Sequence, residues 1–400
     1  MESLQERILK NPLILSVFRS GYEVYLVGGF VRDILRGMES PDIDFIIKAE
    51  TNEAVPRISS MIGGRTVQIG NKGLQRVIVD KTVLDFTRLE AALEDDLSRR
   101  DFTVNALAWS PKKGLIDPVR GSVDIERRVI RAISEKNLKD DPVRLLRAYR
   151  FSGELGWRIE KRSRYYIKTL KDLIKKSAPE RITSELLKLL DSAHCQKALR
   201  HAHADGLLNA FISIDYAQLK NNLQALSKSS KFLKKLPEKY SFKLRNPVSQ
   251  GISHAGLLRA EILLYRSNLE ESRLRLSAAV QRRLMIVDLL IERYQGERPL
   301  NKARLFEFFF DAGRAIGDFA LLTMNRRVLS EAERYMEMET LMNGEAIMET
   351  TGLGSGPEIA RYLKATMKFQ FMGRVKERER VIRWLLRMKN RPTSDKENLT

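Results

Sequence analysis

The twenty residues LVGGFVRDILRGMESPDIDF, Leu26 to Phe45, hold the side chains best suited to chemistry. Paired glycines after a short apolar run let backbone amides approach an anion, because no Cβ intervenes. The helix expected in FVRDILRG points its N-terminus at the same place, and Arg32 adds a positive charge near it. An ordinary strand-to-helix turn reads the same way when it stands alone. Asp42-Ile43-Asp44 changes the balance. Side chains two apart on a strand share a face, so both carboxylates project together while Ile43 and Phe45 enter the core. Adjacent carboxylates repel unless a cation neutralises them. Mg2+ is the natural filler, a hard ion that shares its coordination with substrate phosphates. A solvated turn is the competing reading, since Ser-Pro-Asp opens the stretch. A third acid, Asp85, alternates with Leu84 and Phe86 in VLDFTRL and so faces away from that apolar pair. Three carboxylates, a glycine turn and Mg2+ together make a site for two-metal phosphoryl transfer.

The elements that must position these residues follow from the pattern around them. β-Branched runs, VYLVGG, DIDFIIKA, RTVQIG, LQRVIVD and TVLDFTRL, are separated by glycines and turn residues at hairpin-like intervals. They predict a small antiparallel or mixed sheet with helices packed on it. After about Ile133 strands are expected to stop. Apolar residues then recur at three- and four-residue spacing, as in APERITSELLKLLDSAHCQKALRHAHADGLL, to near the end of the chain. The His pair in HAHADG is read as surface or packing, because His201 and His203 point apart on one helix. The stretch Met336 to Met348 is expected in a helical core, and RPTSDKENLT in a frayed tail.

Composition bounds the partners. The 400 residues carry a net charge of +20 and are 43% hydrophobic, enough for more than one cored domain and suited to a polyanionic partner. A single cysteine, Cys195, excludes an intramolecular disulfide and a Cys-rich zinc site. There is no apolar run of membrane-spanning length, and MESLQERILKNPLIL lacks a signal-peptide pattern. A cytoplasmic protein is the expectation.

Five segments in order, LVGGFVRDILRG with DIDF, DLSRRDFTVNALAW, LIDPVRGSVDIERRVIRAI, DDPVRLLRAYRFSGELGW and APERITSELLKLL, make a resemblance specific. The chain resembles the bacterial-type (class II) tRNA nucleotidyltransferases, the CCA-adding enzymes and their poly(A) polymerase relatives, over about Leu26 to Leu190. The resemblance implies an α+β chain: a polymerase-β-like nucleotidyltransferase head over residues 1–134, then an all-helical neck (135–200), body (201–310) and tail (311–400). It implies that Gly28, Gly29, Arg32 and Asp33 form the triphosphate- and sugar-binding turn, and that Asp42 and Asp44 bind Mg2+. Arg100, Asp101 and Asn105 would handle ribose and phosphates. Capping of a helix by Thr103 and Asn105 is compatible with that role. The family's Glu-Asp-x-x-Arg neck motif is matched by Asp140-Asp141-Pro142-Val143-Arg144, with aspartate at its first position. The plain reading of Asp141-Pro142 is a helix start.

Asp141 and Arg144, three apart, share a helical face that Arg147 extends. Asp141 could accept from the exocyclic amine of cytosine or adenine while Arg144 donates to the ring. Uracil and guanine present the reverse pattern and would leave buried partners unpaired. Family members that finish with adenosine carry a longer segment between the third carboxylate and the RRD motif. Here only Phe86 to Arg99 separates Asp85 from Arg100. That favours an enzyme adding the two cytidines (CC) from CTP, with a separate A-adding enzyme acting later. The alternatives are a complete CCA-adding enzyme that also uses ATP, a poly(A) polymerase, and a non-catalytic RNA-binding protein. An inconsequential loop difference is the plain reading of the short segment. The basic run Lys228 to Arg245, with Phe232, Tyr240 and Phe242 interleaved, is either a grip on tRNA phosphates or a solvated face. TGLGSGPEIARYL is either a phosphate-facing helix start or a turn between helices.

Overall fold

The computed structural model describes residues 3–40, 42–70, 73–296 and 300–389, with backbone alone at 239, 241–243, 249 and 389. The side chain of Phe242 and the segment RPTSDKENLT therefore lie outside the described residues. The chain divides into two compact units, residues 1–216 with the return segment Ser267–Arg275, and 217–266 with 276 onward.

The first unit opens with helices α1 (Leu4–Leu9) and α2 (Pro12–Phe18), then β1 (Val24–Val27), α3 (Gly29–Leu35), β2 (Asp42–Ile47) and α4 (Thr51–Met61). Strands β3 (Arg65–Ile69), β4 (Leu74–Val79) and β5 (Thr82–Arg88) lead to α5 (Leu93–Ser98), then β6 (Ala108–Ser110) and β7 (Gly114–Ile116). These strands form one seven-stranded sheet in the order β3-β4-β5-β2-β1-β6-β7. It is mixed: β2 runs parallel to β5, and the other pairs are antiparallel. Alternation explains its two faces. Ile43 and Phe45 of β2, and Leu84 and Phe86 of β5, are buried, and the Phe45 and Phe86 rings stack at 5.0 Å. That stack holds the β2–β5 register, because a one-residue slip would turn every core side chain to the other face.

Helices take over with α6 (Gly121–Glu126), α7 (Glu135–Asp140), α8 (Val143–Leu155), α9 (Lys161–Leu170), α10 (Pro179–Asp191), α11 (Cys195–Ala204) and α12 (Leu207–Phe211). Helix α8 ends at Gly156, whose φ of 73° places it in the left-handed region that stops a helix. Strands do not end at Ile133 as the pattern predicts. β8 (Val129–Ile130) pairs in parallel with β9 (Arg158–Ile159), and in the second unit β10 (Pro247–Ser249) pairs with β11 (Ile252–Ser253). Two- and three-residue strands are too short to show alternation.

From α13 (Tyr216–Leu233) onward the second unit is helical: α14 (Glu238–Arg245), α15 (His254–Leu263), α16 (Ala278–Gly296), α17 (Lys302–Ala312), α18 (Ile316–Leu322), α19 (Arg326–Met336), α20 (Gly344–Thr351), α21 (Pro357–Phe371) and α22 (Arg378–Lys389). Phe306, Phe308, Phe309, Phe319 and Phe371 centre one core, and Ile347, Tyr362 and Leu385 a second. Met342 is buried there, but Met336 is 51% exposed at the end of α19, so the stretch Met336–Met348 is only partly core. Among the described residues no helix is long and apolar enough to cross a membrane.

Candidate active site

β1 ends at Val27, and the chain turns into α3 through Gly28, whose φ of 72° favours glycine. A Cβ on Gly28 would stand 2.9 Å from Arg100 Nη1 and 3.7 Å from Asp44 Oδ2. The turn is therefore pressed between the guanidinium and the carboxylate. Its neighbours hold it in shape. Arg32 forks onto Asp33 at 3.0 and 2.9 Å and donates to Asn105 Oδ1 at 2.7 Å. Asn105 Nδ2 donates in turn to Asp101 at 3.1 Å.

Asp42 and Asp44 share one face of β2, Asp42 exposed and Asp44 half-buried. The parallel register sets Asp44 opposite Asp85. Burial raises the Asp44 pKa; Asp85 and Asp42 raise it further, while Arg100 and Arg76 act against the rise. Asp85 itself is forked by Arg76, with donors at 2.7 and 2.8 Å. Among the described residues no group of three or more His, Cys, Asp or Glu side chains is gathered closely enough to hold a metal ion alone. The donor set is thus two carboxylates on a strand, one of them buried against like charge. That fits Mg2+, which takes its remaining ligands from water and substrate phosphates.

These residues line a cleft of about 700 Å³. Gly28, Gly29, Arg32, Asp33, Asp42, Asp44, Arg100, Asp101, Asn105, Asp141, Arg144 and Arg147 all contribute, so twelve of the thirteen expected site residues are brought together. Asp85 does not line the cleft; it stands beside Asp44 on the neighbouring parallel strand. Arg144 lies 3.6 Å from Asp141 and donates to the carbonyls of Arg99 and Asn137 at 2.8 and 3.2 Å. Asp141 does not cap α8; its carboxylate is forked by Arg181 at 2.9 and 2.8 Å. Arg147 is turned to Asp101 (2.8 Å) and Glu185 (3.2 Å). Burial alone would raise the Asp101 pKa, but the Arg147 charge and the Asn105 and Phe102 donors outweigh it and hold Asp101 ionised.

Sequence reasoning missed several groups. Arg150, Phe151, Glu154, Arg181 and Lys188 also line the cleft. Arg150 lies 3.8 Å from the Phe151 ring centre and 2.6 Å from Glu185. Their signal was helical spacing: Arg144, Arg147 and Arg150 recur every three residues on α8, and Arg181 and Lys188 are two turns apart on α10. Arg76 had no local signal, because only the antiparallel β4–β5 register sets it opposite Asp85.

With this geometry in hand, known proteins can be set beside the chain. Residues 24–92 and 56–131 match the family described as the poly A polymerase head domain, and residues 156–214 match a probable RNA and SrmB-binding site of polymerase A. The A-adding tRNA nucleotidyltransferase of Deinococcus radiodurans is 37% identical over 190 residues, 46% of this chain and only 44% of that relative. The CC-adding tRNA nucleotidyltransferase of Geobacter sulfurreducens is 28% identical over 407 residues, 93% of this chain and 94% of the relative. The fold is similar to that of the Bacillus stearothermophilus CCA-adding enzyme solved with CTP, at a TM-score of 0.69 and 24% identity over the whole of both chains.

Proposed function

Because this chain belongs to the family of tRNA nucleotidyltransferases and poly(A) polymerases and is a nucleotidyltransferase, we propose that it adds two cytidines from CTP to the 3′ end of immature tRNA. The observation that carries the reading is the meeting of Asp42 and Asp44 with the Asp141–Arg144 pair in one cleft. A reactive phosphate and the base attached to it would be held at once.

In this mechanism the tRNA 3′-hydroxyl oxygen bonds to the α-phosphorus of CTP, and the bond from that phosphorus to the departing pyrophosphate breaks. Asp42 and Asp44 would hold Mg2+, which supplies charge neutralisation for the phosphates and lowers the pKa of a nearby hydroxyl. Gly28 and Gly29 leave room for the triphosphate at the start of α3, and Arg32 and Arg100 face its charge. Asp85, held by Arg76 beside Asp44, would act through its charge on Asp44 rather than from the cleft lining. Asp101 and Asn105 position the ribose, and Arg147 braces Asp101 against α8. Asp141 and Arg144 read the amine and ring acceptor of cytosine.

The preference for CC addition rests on residues 86–99. They are the end of β5, a short turn and α5, with Leu93 and Leu97 buried against Tyr25, Val27 and Ile46. Such a docked connection gives no long lever to reshape the pocket from C to A. The near full-length similarity to a CC-adding relative agrees, whereas the A-adding relative matches 46% of the chain. The partners in this reading are tRNA and CTP, with a separate enzyme adding the terminal A, and the place of action is the cytoplasm. A complete CCA-adding enzyme is the second reading, since a CCA-adding enzyme shares the fold over its whole length.

The test supplies purified protein with tRNA lacking its 3′ CCA, together with CTP and ATP, and sequences the product ends. Uniform arrest at CC supports the proposal. Ends reading CCA replace it with the complete enzyme, and long A tails with a poly(A) polymerase.

A further inference from the structure

One row of side chains crosses the head sheet: Arg76 of β4, Asp85 of β5 and Asp44 of β2 stand opposite one another in register. Val67 of β3 and Val27 of β1 close the row at its two ends. Registered neighbours share a face, and adjacent strands lie about 4.8 Å apart. Asp85 is therefore set within reach of any cation that Asp44 binds. Asp42 shares that face two residues earlier on β2. Three carboxylates so placed could converge on one ion, yet only Asp42 and Asp44 line the cleft. The Arg76 guanidinium accounts for the difference. Its Nε and Nη2 donate to the two Asp85 oxygens at 2.7 and 2.8 Å, in a pair whose side chains are 37% and 20% exposed. Swinging Asp85 toward Asp44 would break a bidentate, charge-assisted fork.

We propose that Arg76 is a positioning residue that withholds Asp85 from the metal site and so limits that site to two carboxylates. The proposal rests on the reading above, in which Asp42 and Asp44 hold Mg2+ for nucleotidyl transfer. Mg2+ in such sites is bound through one or two carboxylates and takes other ligands from water and substrate phosphates. A third carboxylate would favour the bare ion before nucleotide arrives and leave less of its coordination for the triphosphate. With the fork closed, the Arg76 charge also opposes that of Asp85 at Asp44. The free ion is then held weakly, and well only when the triphosphate completes its ligands. An ordinary cross-strand ion pair steadying β4 against β5 is the competing role. That role predicts no change in metal affinity.

Mn2+, standing in for Mg2+, is titrated into the full chain without nucleotide or RNA and followed by calorimetry. Arg76→Met removes the fork and keeps the bulk of the stem, so Mn2+ should bind about tenfold tighter or more. Adding Asp85→Asn to that variant should return the affinity to the wild-type range. Asp85→Asn alone leaves an unmatched guanidinium beside Asp44 and should weaken binding by about tenfold. That variant decides the matter by itself if Arg76→Met does not fold. Wild-type affinity in Arg76→Met, a gain that survives the added Asp85→Asn, or wild-type affinity in Asp85→Asn overturns the inference. None of these readouts needs transfer, so a chain that failed to add cytidine would still decide the role of Arg76.

Discussion

Asp44 is where the chemistry and the fold oppose each other most directly. Its folded pKa is raised above 3.8, chiefly by burial, with Asp85 and Asp42 adding to the rise. Between 3.8 and that raised value the folded protein keeps a proton that the unfolded chain has lost. Stability of the metal-free protein therefore falls as pH rises through this window, and the deficit remains above it. Asp44→Asn removes the ionisation, so in chelator-treated buffer at neutral pH the variant should melt higher, by roughly 2–4 °C. The gap should narrow as the pH falls toward 3.8. Mg2+ should raise the wild-type Tm and leave the variant almost unmoved. The same substitution should reduce transfer by at least about 10²–10³-fold while tRNA binding persists. A variant that melts below wild type without metal would mean that donors hold Asp44 ionised, and the metal assignment would lose its physical basis.

At the level of elements, two glycines show which contacts serve the site and which serve the fold. At Gly28 an added Cβ meets the end of a flexible side chain, Arg100 Nη1, with φ at 72°. At Gly121 it would lie 2.1 Å from the Thr103 carbonyl oxygen, which is backbone. Gly28→Ala should fold with a loss of about 1–2 kcal/mol from the left-handed backbone, and its KM for CTP should rise because Arg100 is displaced. Gly121→Ala should fail chiefly in stability, seen as a lower Tm or insoluble protein. A Gly28→Ala enzyme with unchanged KM would separate the turn from the triphosphate. The same contrast explains what was legible beforehand. The β1–α3 turn, the Asp42–Asp44 face and the α8 spacing are local, so residue order exposes them. The Arg76–Asp85 fork, the Arg181–Asp141 fork and the Arg147–Asp101–Glu185 link join residues 9 to 46 positions apart. Such pairs are set by strand register and helix packing, which no short window of sequence contains.

For the whole molecule the dominant quantity is a net charge of +20. The cleft does not account for it, since its cations are largely matched by Asp33, Asp101, Asp141 and Glu154. The excess lies elsewhere, and the run from Lys228 to Arg245 in the second unit, with seven basic residues and one acid, carries part of it. Lys234 and Lys235 are exposed at the end of α13, where they are available to phosphate oxygens. If tRNA is gripped there, its affinity must fall with salt through counterion release, with a slope near −0.7 to −0.9 per phosphate contacted. CTP, which the proposed function places within the cleft, should show a far weaker dependence. Replacing Lys234 and Lys235 by Glu should weaken tRNA binding, flatten its logarithmic salt slope by about two, and leave the KM for CTP unchanged. An unaltered slope would make the run a solvated helix face, and the search for the tRNA grip would move to the residues 156–214 that match the polymerase RNA-binding family.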